Sequence, residues 1–141
     1  MRLEDRPLSF RNITHHASVT QCLGSVGALP WYIGVARPSI LKNEDEIDES
    51  KGAVRSPAGH YYIPPSPEDI QVFRVEGPTF LKFEVGTWHS GPYFKEKTMD
   101  FYNLELSDTN VSFYYMPLIN YIYIYMLCLS FIGLHWCPYV P

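Results

Sequence analysis

Phe80-Leu-Lys-Phe-Glu-Val-Gly-Thr-Trp-His89 opens with strict alternation. Lys82 and Glu84 fall on one face of an extended chain, and Leu81, Phe83 and Val85 on the other, the pattern of a half-buried strand. Gly86 then breaks the run, and His89 follows three residues later beside Trp88, with Gly91-Pro92 just beyond. Working outward, Val26–Ala36 (VGALPWYIGVA) is apolar and broken by turn residues. Asp69–Val75 (DIQVFRV) alternates, and Met99–Leu106 (MDFYNLEL) is a fourth strand candidate. Gly-Pro, Ser-Pro and Pro-Pro pairs separate these segments at short intervals, and no amphipathic helical period stands out. Many short strands between turns predict an all-β fold, a sandwich or a small barrel. Asn43–Lys51 (NEDEIDESK) reads as a solvated acidic loop, since it lacks the glycine of a calcium loop. Tyr61–Pro67 (YYIPPSP) reads as an extended, polyproline-like connector.

The chain has 141 residues, room for one domain with a core. Aromatics make up 16% of it, and the formal net charge is −4 with no basic block. That balance argues against nucleic acid, whose binding rests on Lys and Arg neutralising phosphates. Cys22, Cys128 and Cys137 are odd in number and form no CxxC pair. This favours a reducing, intracellular and most simply cytoplasmic setting over a disulfide framework or zinc cluster. Asn12-Ile-Thr14 and Asn110-Val-Ser112 match the glycosylation acceptor pattern, but no secretory signal opens the sequence.

Charge is unevenly spread. No Asp, Glu, Lys or Arg follows Asp108, which divides the chain into residues 1–111 and an apolar, aromatic-rich tail, 112–141. Three readings of the tail stay open. Leu118–Leu134 scores as a transmembrane segment, but it is shorter than the roughly twenty residues of a spanning helix and lacks flanking Lys or Arg. Asn120–Tyr125 alternates Tyr and Ile, as a strand would. Finally, a charge-free string of A/T-rich-codon residues is what translation through a retained intron produces, making the chain a splice variant.

Two of the five histidines, His16 and His89, together with Gln21, carry the functional reading. His16 and Gln21 are five apart, a spacing that a turn between strands can bring to one cavity, and His89 lies three residues beyond Gly86. His15 points to the opposite face if its segment is extended. For each of these the structural alternative stays open: His89 as a packed imidazole beside Trp88, Lys82 as a solvated strand residue, His60 as part of a connector.

The spacing resembles a worn cupin pattern, in which one motif offers a histidine and, five residues on, Glu or Gln, and a second offers a glycine with a histidine three positions on. Thr14 stands where the first histidine of the usual His-x-His pair would fall, and Glu84 where a proline is usual. Longer stretches, His16–Gln21, Trp31–Ala36, Pro67–Val75, Gly86–His89 and Asp100–Glu105, resemble the ureidoglycolate lyase (ureidoglycolate hydrolase-like) cupin family, plant-type branch, over about Arg2–Val111. The resemblance implies a double-stranded β-helix barrel, often a homodimer, that splits ureidoglycolate into glyoxylate and urea in allantoin (purine) catabolism. For that reaction on a small-molecule substrate, His89 is the candidate catalytic base or acid, because an imidazole titrates near neutral pH; Lys82 joins it by pairing with the substrate carboxylate if its strand face lines the lumen, and His16 and Gln21 complete the pocket as substrate-binding donors. No redox cofactor is required, while His16, Gln21 and His89 leave room for a divalent metal, although two imidazoles and a neutral amide make a poor ligand set. Family members carry a further N-terminal segment and a polar closing strand after the position of Val111. The chain is therefore expected to be an incomplete barrel, truncated at the front and rewritten at the back. The competing expectation is a non-catalytic cupin-like binding protein or an unstable splice product. In the catalytic reading, the imidazoles of His16 and His89 face each other across the barrel lumen.

Overall fold

The computed structural model describes residues 9–106, 113–123 and 136–137, with side chains described for 12–106. Twelve strands are found there: β1 (Ser9–His16), β2 (Gln21–Ser25), β3 (Trp31–Ala36), β4 (Ile40–Leu41), β5 (Val54–Arg55), β6 (Tyr61–Tyr62), β7 (Gln71–Val75), β8 (Phe80–Phe83), β9 (Trp88–His89), β10 (Phe101–Leu104), β11 (Phe113–Tyr123) and β12 (Trp136–Cys137). The only helical turns among the described residues are three short 3₁₀ segments, Glu44–Glu46, Glu49–Lys51 and Pro67–Asp69. The protein is thus all-β.

The strands form three antiparallel sheets. The first runs β11-β1-β9-β3-β7, the second β10-β2-β8-β12, and a small third sheet runs β4-β6-β5. Their ladders do not close into a barrel among the described residues. Within the first sheet, the inner strand β3 is buried on both faces. All six residues of β3 are buried, so its sequence WYIGVA is continuously apolar rather than alternating, as expected of a strand covered on two sides. One face carries Ile13, Tyr32, Ala36 and Trp88, which pack with Tyr62 of the third sheet. The other face carries Trp31, Ile33, Val35 and Val75, which meet Leu23, Leu81 and Phe83 of the second sheet. Trp31 and Trp88 are both fully buried, one on each face. At about 1.5–3 kcal/mol for a large buried apolar side chain, such residues dominate the stabilisation of both layers.

The alternation of Phe80–Val85 is realised through Phe83: Leu81 and Phe83 are buried and Lys82 and Glu84 exposed. Val85 departs from it at 41% exposed. It sits in a turn closed by the Thr87 N–H donating to the Glu84 carbonyl (3.0 Å), with Gly86 at φ +80°. A turn with positive φ at its third position requires glycine, and this is what Gly86 supplies. The expected strand 26–36 begins only at Trp31, because Gly27 (φ +104°) and Pro30 hold the preceding residues in a loop where Val26 and Leu29 are about half exposed. The acidic stretch 43–51 is a surface loop as expected, with Ser50 and Lys51 bonded to Asp48.

Seven strands, β1, β2, β4, β5, β6, β9 and β12, lay outside the strand candidates, and β6 falls in the stretch expected to be a polyproline-like connector. β1 (SFRNITHH) and β2 (QCLGS) look polar, but β1 buries His15 on one face and His16 on the other. Of the tail, residues 113–123 form β11, which runs antiparallel along β1 from Ser9↔Tyr123 to His16↔Phe113, with an irregularity between Phe10 and Asn12. Trp136–Cys137 pairs with Phe80–Leu81 of β8. Among the described residues no helix is long and apolar enough to cross a membrane. Residues 124–134 of the apolar run, the 111/112 boundary, His135, Cys128 and the acceptor site at Asn110 lie outside the described residues.

Candidate functional site

The Gly86 turn positions the site. Its N–H donates to the His16 carbonyl (2.7 Å), which ties the end of β1 to the start of β9. In the resulting register Thr14 lies opposite His89, and His89 lies opposite Val35 on its other side. His16, two residues from Thr14, therefore shares a face with His89. Their ring centroids are 5.5 Å apart. The expected geometry is corrected here: the two imidazoles do not face each other across a lumen but stand side by side on neighbouring strands of one sheet.

The face they share looks into the gap between the first and second sheets. Across that gap Phe83 stacks flat on His89, with centroids 4.7 Å apart and planes 14° from parallel. Gln21 is the cross-strand partner of Phe83 and points the same way. The structure thus gathers His16, His89 and Gln21 around one gap, each of them more than nine-tenths buried. Asn103 and Glu105, exposed at the rim on and just after β10, both accept from Gln21 Nε2, at 2.9 and 3.1 Å.

Burial sets the chemistry of His89. It holds the imidazole's pKa down at about 4, helped by the neighbouring His16 and opposed by the Ser90 carbonyl. The ring is therefore neutral near pH 7. Its Nδ1 lies 3.1 Å from the Ser90 carbonyl, an acceptor, so Nδ1 carries the proton and donates. In a neutral imidazole Nε2 is then the basic nitrogen. Nε2 is buried and meets no hydrogen-bond partner among the described residues. Ser90 fixes this tautomer: its N–H donates to the Gly34 carbonyl (2.8 Å) and its hydroxyl accepts from the Gly34 N–H (2.9 Å), which pins the carbonyl that His89 uses.

Lys82 is not brought into this gap. It sits on the opposite face of β8 from Phe83, with its ammonium 2.8 Å from Glu84. Both line a separate cleft of about 800 Å³, with Arg37, Glu68 and Phe73 on its walls. Val35, the cross-strand neighbour of His89, lines the same cleft, whereas His16, Gln21 and His89 do not. His15, set aside in sequence, packs on the other face of the first sheet against Trp88 (centroids 4.1 Å) and bonds His60 through the two Nε2 atoms at 2.9 Å. His60 Nδ1 in turn meets Ser56 Oγ at 2.8 Å. Burial, with a contribution from His60, lowers the His15 pKa to about 4, and burial lowers that of His60. This pair couples the third sheet to the first.

As metal ligands, the residues of the gap fall short. No three His, Cys, Asp or Glu side chains are grouped to hold an ion among the described residues. Two imidazoles and a neutral amide oxygen do not make up the difference, because transition-metal sites add a carboxylate or third imidazole. Asn103, Glu105 and Ser90 escaped the sequence reading. The only signal for the first two was their spacing of two on a strand candidate, which places them on one face.

The chain matches no protein-family model, no curated protein and no solved structure. What the fold and site define is an all-β protein with a buried basic imidazole between two antiparallel sheets, and its chemistry has to be read from these residues.

Proposed function

We propose that the chain performs ureidoglycolate lyase-type chemistry in an incomplete, cupin-like double-stranded β-helix, with His89 as general base. The observation that carries the proposal is the buried Nε2 of a neutral imidazole whose tautomer is fixed by Ser90. Ureidoglycolate carries a hydroxyl and a urea nitrogen on one carbon. His89 Nε2 takes the hydroxyl proton, the carbon–oxygen bond becomes the carbonyl of glyoxylate, and the carbon–nitrogen bond breaks with its electron pair going to nitrogen. The imidazolium then returns the proton to that nitrogen, releasing urea. Atoms and charge balance without water, oxidant or redox cofactor, and no step passes through a metal.

A base with so low a pKa is weak at rest, but a carboxylate substrate placed beside it stabilises the imidazolium and raises its basicity. A positioned proton acceptor is worth about 10²–10⁴-fold in rate. His16, whose ring centroid lies 5.5 Å from that of His89, is the side chain assigned to the carboxylate end. Lys82 and Arg37 act from the cleft on the far side of Val35, attracting anions rather than touching the reacting carbon. Action as a cytoplasmic homodimer on a small molecule belongs to the same proposal.

The test is glyoxylate release from ureidoglycolate by purified protein, with and without chelator. Release that survives chelation and falls about 10²–10⁴-fold in His89→Ala, with the fold intact by circular dichroism, supports the lyase. Undiminished release in that variant refutes the role of His89, and folded protein with no release at all favours a binding protein.

A further inference from the structure

The cleft that holds Arg37 and Lys82 is built from stiff parts. Pro38, Pro64 and Pro65 line it, each with φ locked by its ring. The Ile63 N–H donates to the Ser39 carbonyl (3.1 Å), and Ser39 Oγ accepts from Trp88 Nε1 (2.9 Å), so both proline segments are tied to the fully buried Trp88. Asp69 Oδ2 accepts from the Ser66 N–H (2.9 Å) and from the Ser66 hydroxyl (3.0 Å), which holds the 3₁₀ turn Pro67–Asp69 at the cleft's edge. Ile63 is exposed and Phe73 half-buried, so the lining includes accessible apolar surface. The volume of about 800 Å³ falls within the roughly 300–1,000 Å³ of small-molecule sites and is much more than ureidoglycolate fills.

The charges on its walls are only partly matched. Lys82 pairs with Glu84 at 2.8 Å. Both Ser66 bonds to Asp69 go to Oδ2, and Oδ1 meets no donor among the described residues. Arg37 is exposed and meets no ion-pair or hydrogen-bond partner among the described residues. β3 and β7 run antiparallel with Val35 opposite Gln71, so Arg37 and Asp69, each two residues further along, flank the same end of the cleft without forming an ion pair. Two cations and three carboxylates line the cleft, Glu68 being the third, so a simple anion is not its match. The ligand that fits carries both charges close together, on an apolar body.

We propose that this cleft binds a free α-amino acid with a large apolar side chain, its carboxylate on Arg37, its ammonium on Asp69 and its side chain against Phe73, Ile63 and the prolines. An α-amino acid sets the two charges on one carbon, which bridges a cation and a carboxylate that do not reach each other. The guanidinium takes a carboxylate through two parallel N–H donors, a geometry that an ammonium does not reproduce. The prolines hold the apolar wall in place before the ligand arrives, so little ordering is left for binding to drive. The site goes beyond the lyase reading and does not depend on it, since His16, Gln21 and His89 lie outside the cleft.

The experiment is calorimetric titration of the full chain with phenylalanine and with three relatives that each lack one feature. Phenylpropionate lacks the ammonium, phenylethylamine lacks the carboxylate, and glycine lacks the apolar body. Wild-type protein is expected to bind phenylalanine at least about fivefold more tightly than each of them, a modest ratio because ion pairs at exposed groups are weak. Arg37→Gln should erase the preference over phenylethylamine and keep the preference over phenylpropionate. Asp69→Asn, whose amide oxygen still accepts from Ser66, should do the reverse. No binding of phenylalanine by wild type, equal binding of all four compounds, or an unchanged pattern in Arg37→Gln overturns the proposal. Arg37 bonds to nothing among the described residues, so its substitution leaves the fold in place, and the wild-type comparison stands by itself if Asp69→Asn unfolds.

Discussion

Lowering the pH should unfold this protein partly through His89, and the share due to that one ring can be isolated. In the folded chain its pKa is held at about 4 against 6.5 for an unburied histidine. Between those values the unfolded chain binds a proton that the native chain refuses, so stability falls as the pH drops. The contribution is fully present above pH 6.5, is lost progressively on acidification, and is gone once the pH has passed through about 4. At 1.36 kcal/mol per pH unit the loss amounts to about 3 kcal/mol, a large part of the roughly 5–15 kcal/mol that keeps a domain folded. The ring is 6% exposed, so solvent screens little of it. His15, with a pKa also near 4, adds a second loss over the same window, so the wild-type curve alone does not identify either group. The comparison is with His89→Gln, which cannot titrate. Urea unfolding at pH 7, 6, 5 and 4 should show wild type losing about 3 kcal/mol more than the variant across the series. Parallel curves, with equal losses in the two proteins, would mean that His89 is either solvated or charged in the native state, and the assignment of Nε2 as a neutral base would go with it. The same pKa predicts that the acid limb of kcat/KM lies near pH 4 rather than 6.5, because that ratio reports ionisations of the free enzyme.

Three further outcomes are expected. Lys82→Ala should change stability by less than about 1 kcal/mol, since its pairing with Glu84 is solvent-exposed, and should leave kcat within a few-fold; a 10²-fold fall in kcat would return Lys82 to the reacting centre. Trp88→Ala should lower unfolding free energy by about 3–5 kcal/mol, measured by urea titration, because the ring is fully buried against His15 and Tyr62. Gly24→Ala would set a Cβ 2.7 Å from the Phe80 ring and should cost about 1–3 kcal/mol, whereas Gly91→Ala meets nothing within 4 Å and should stay within about 0.5 kcal/mol of wild type; equal thermal midpoints for the two variants would contradict the packing of β2 against β8.

The all-β character and four of the strand regions were legible because alternation and turn residues are local: FLKF, QVFRV and FYNL declare their period within a few positions, and Gly86 declares its turn. The spacing of His16, Gln21 and His89 also marked residues that come to one gap. What sequence could not supply was the register. β1 looks polar because it buries an imidazole on each face, and only its pairing with β9 and β11 shows where those rings go. Whether the polar face of β8 turned inward was likewise a matter of sheet packing: the second sheet offers Leu81 and Phe83 to the first, which leaves Lys82 outside. Side-chain chemistry is written in the chain one residue at a time. The low pKa of His89 arises instead from its burial between the sheets and the nearby His16, and the fixed polarity of Gln21 from Asn103 and Glu105, and only tertiary pairing decides which neighbours those are.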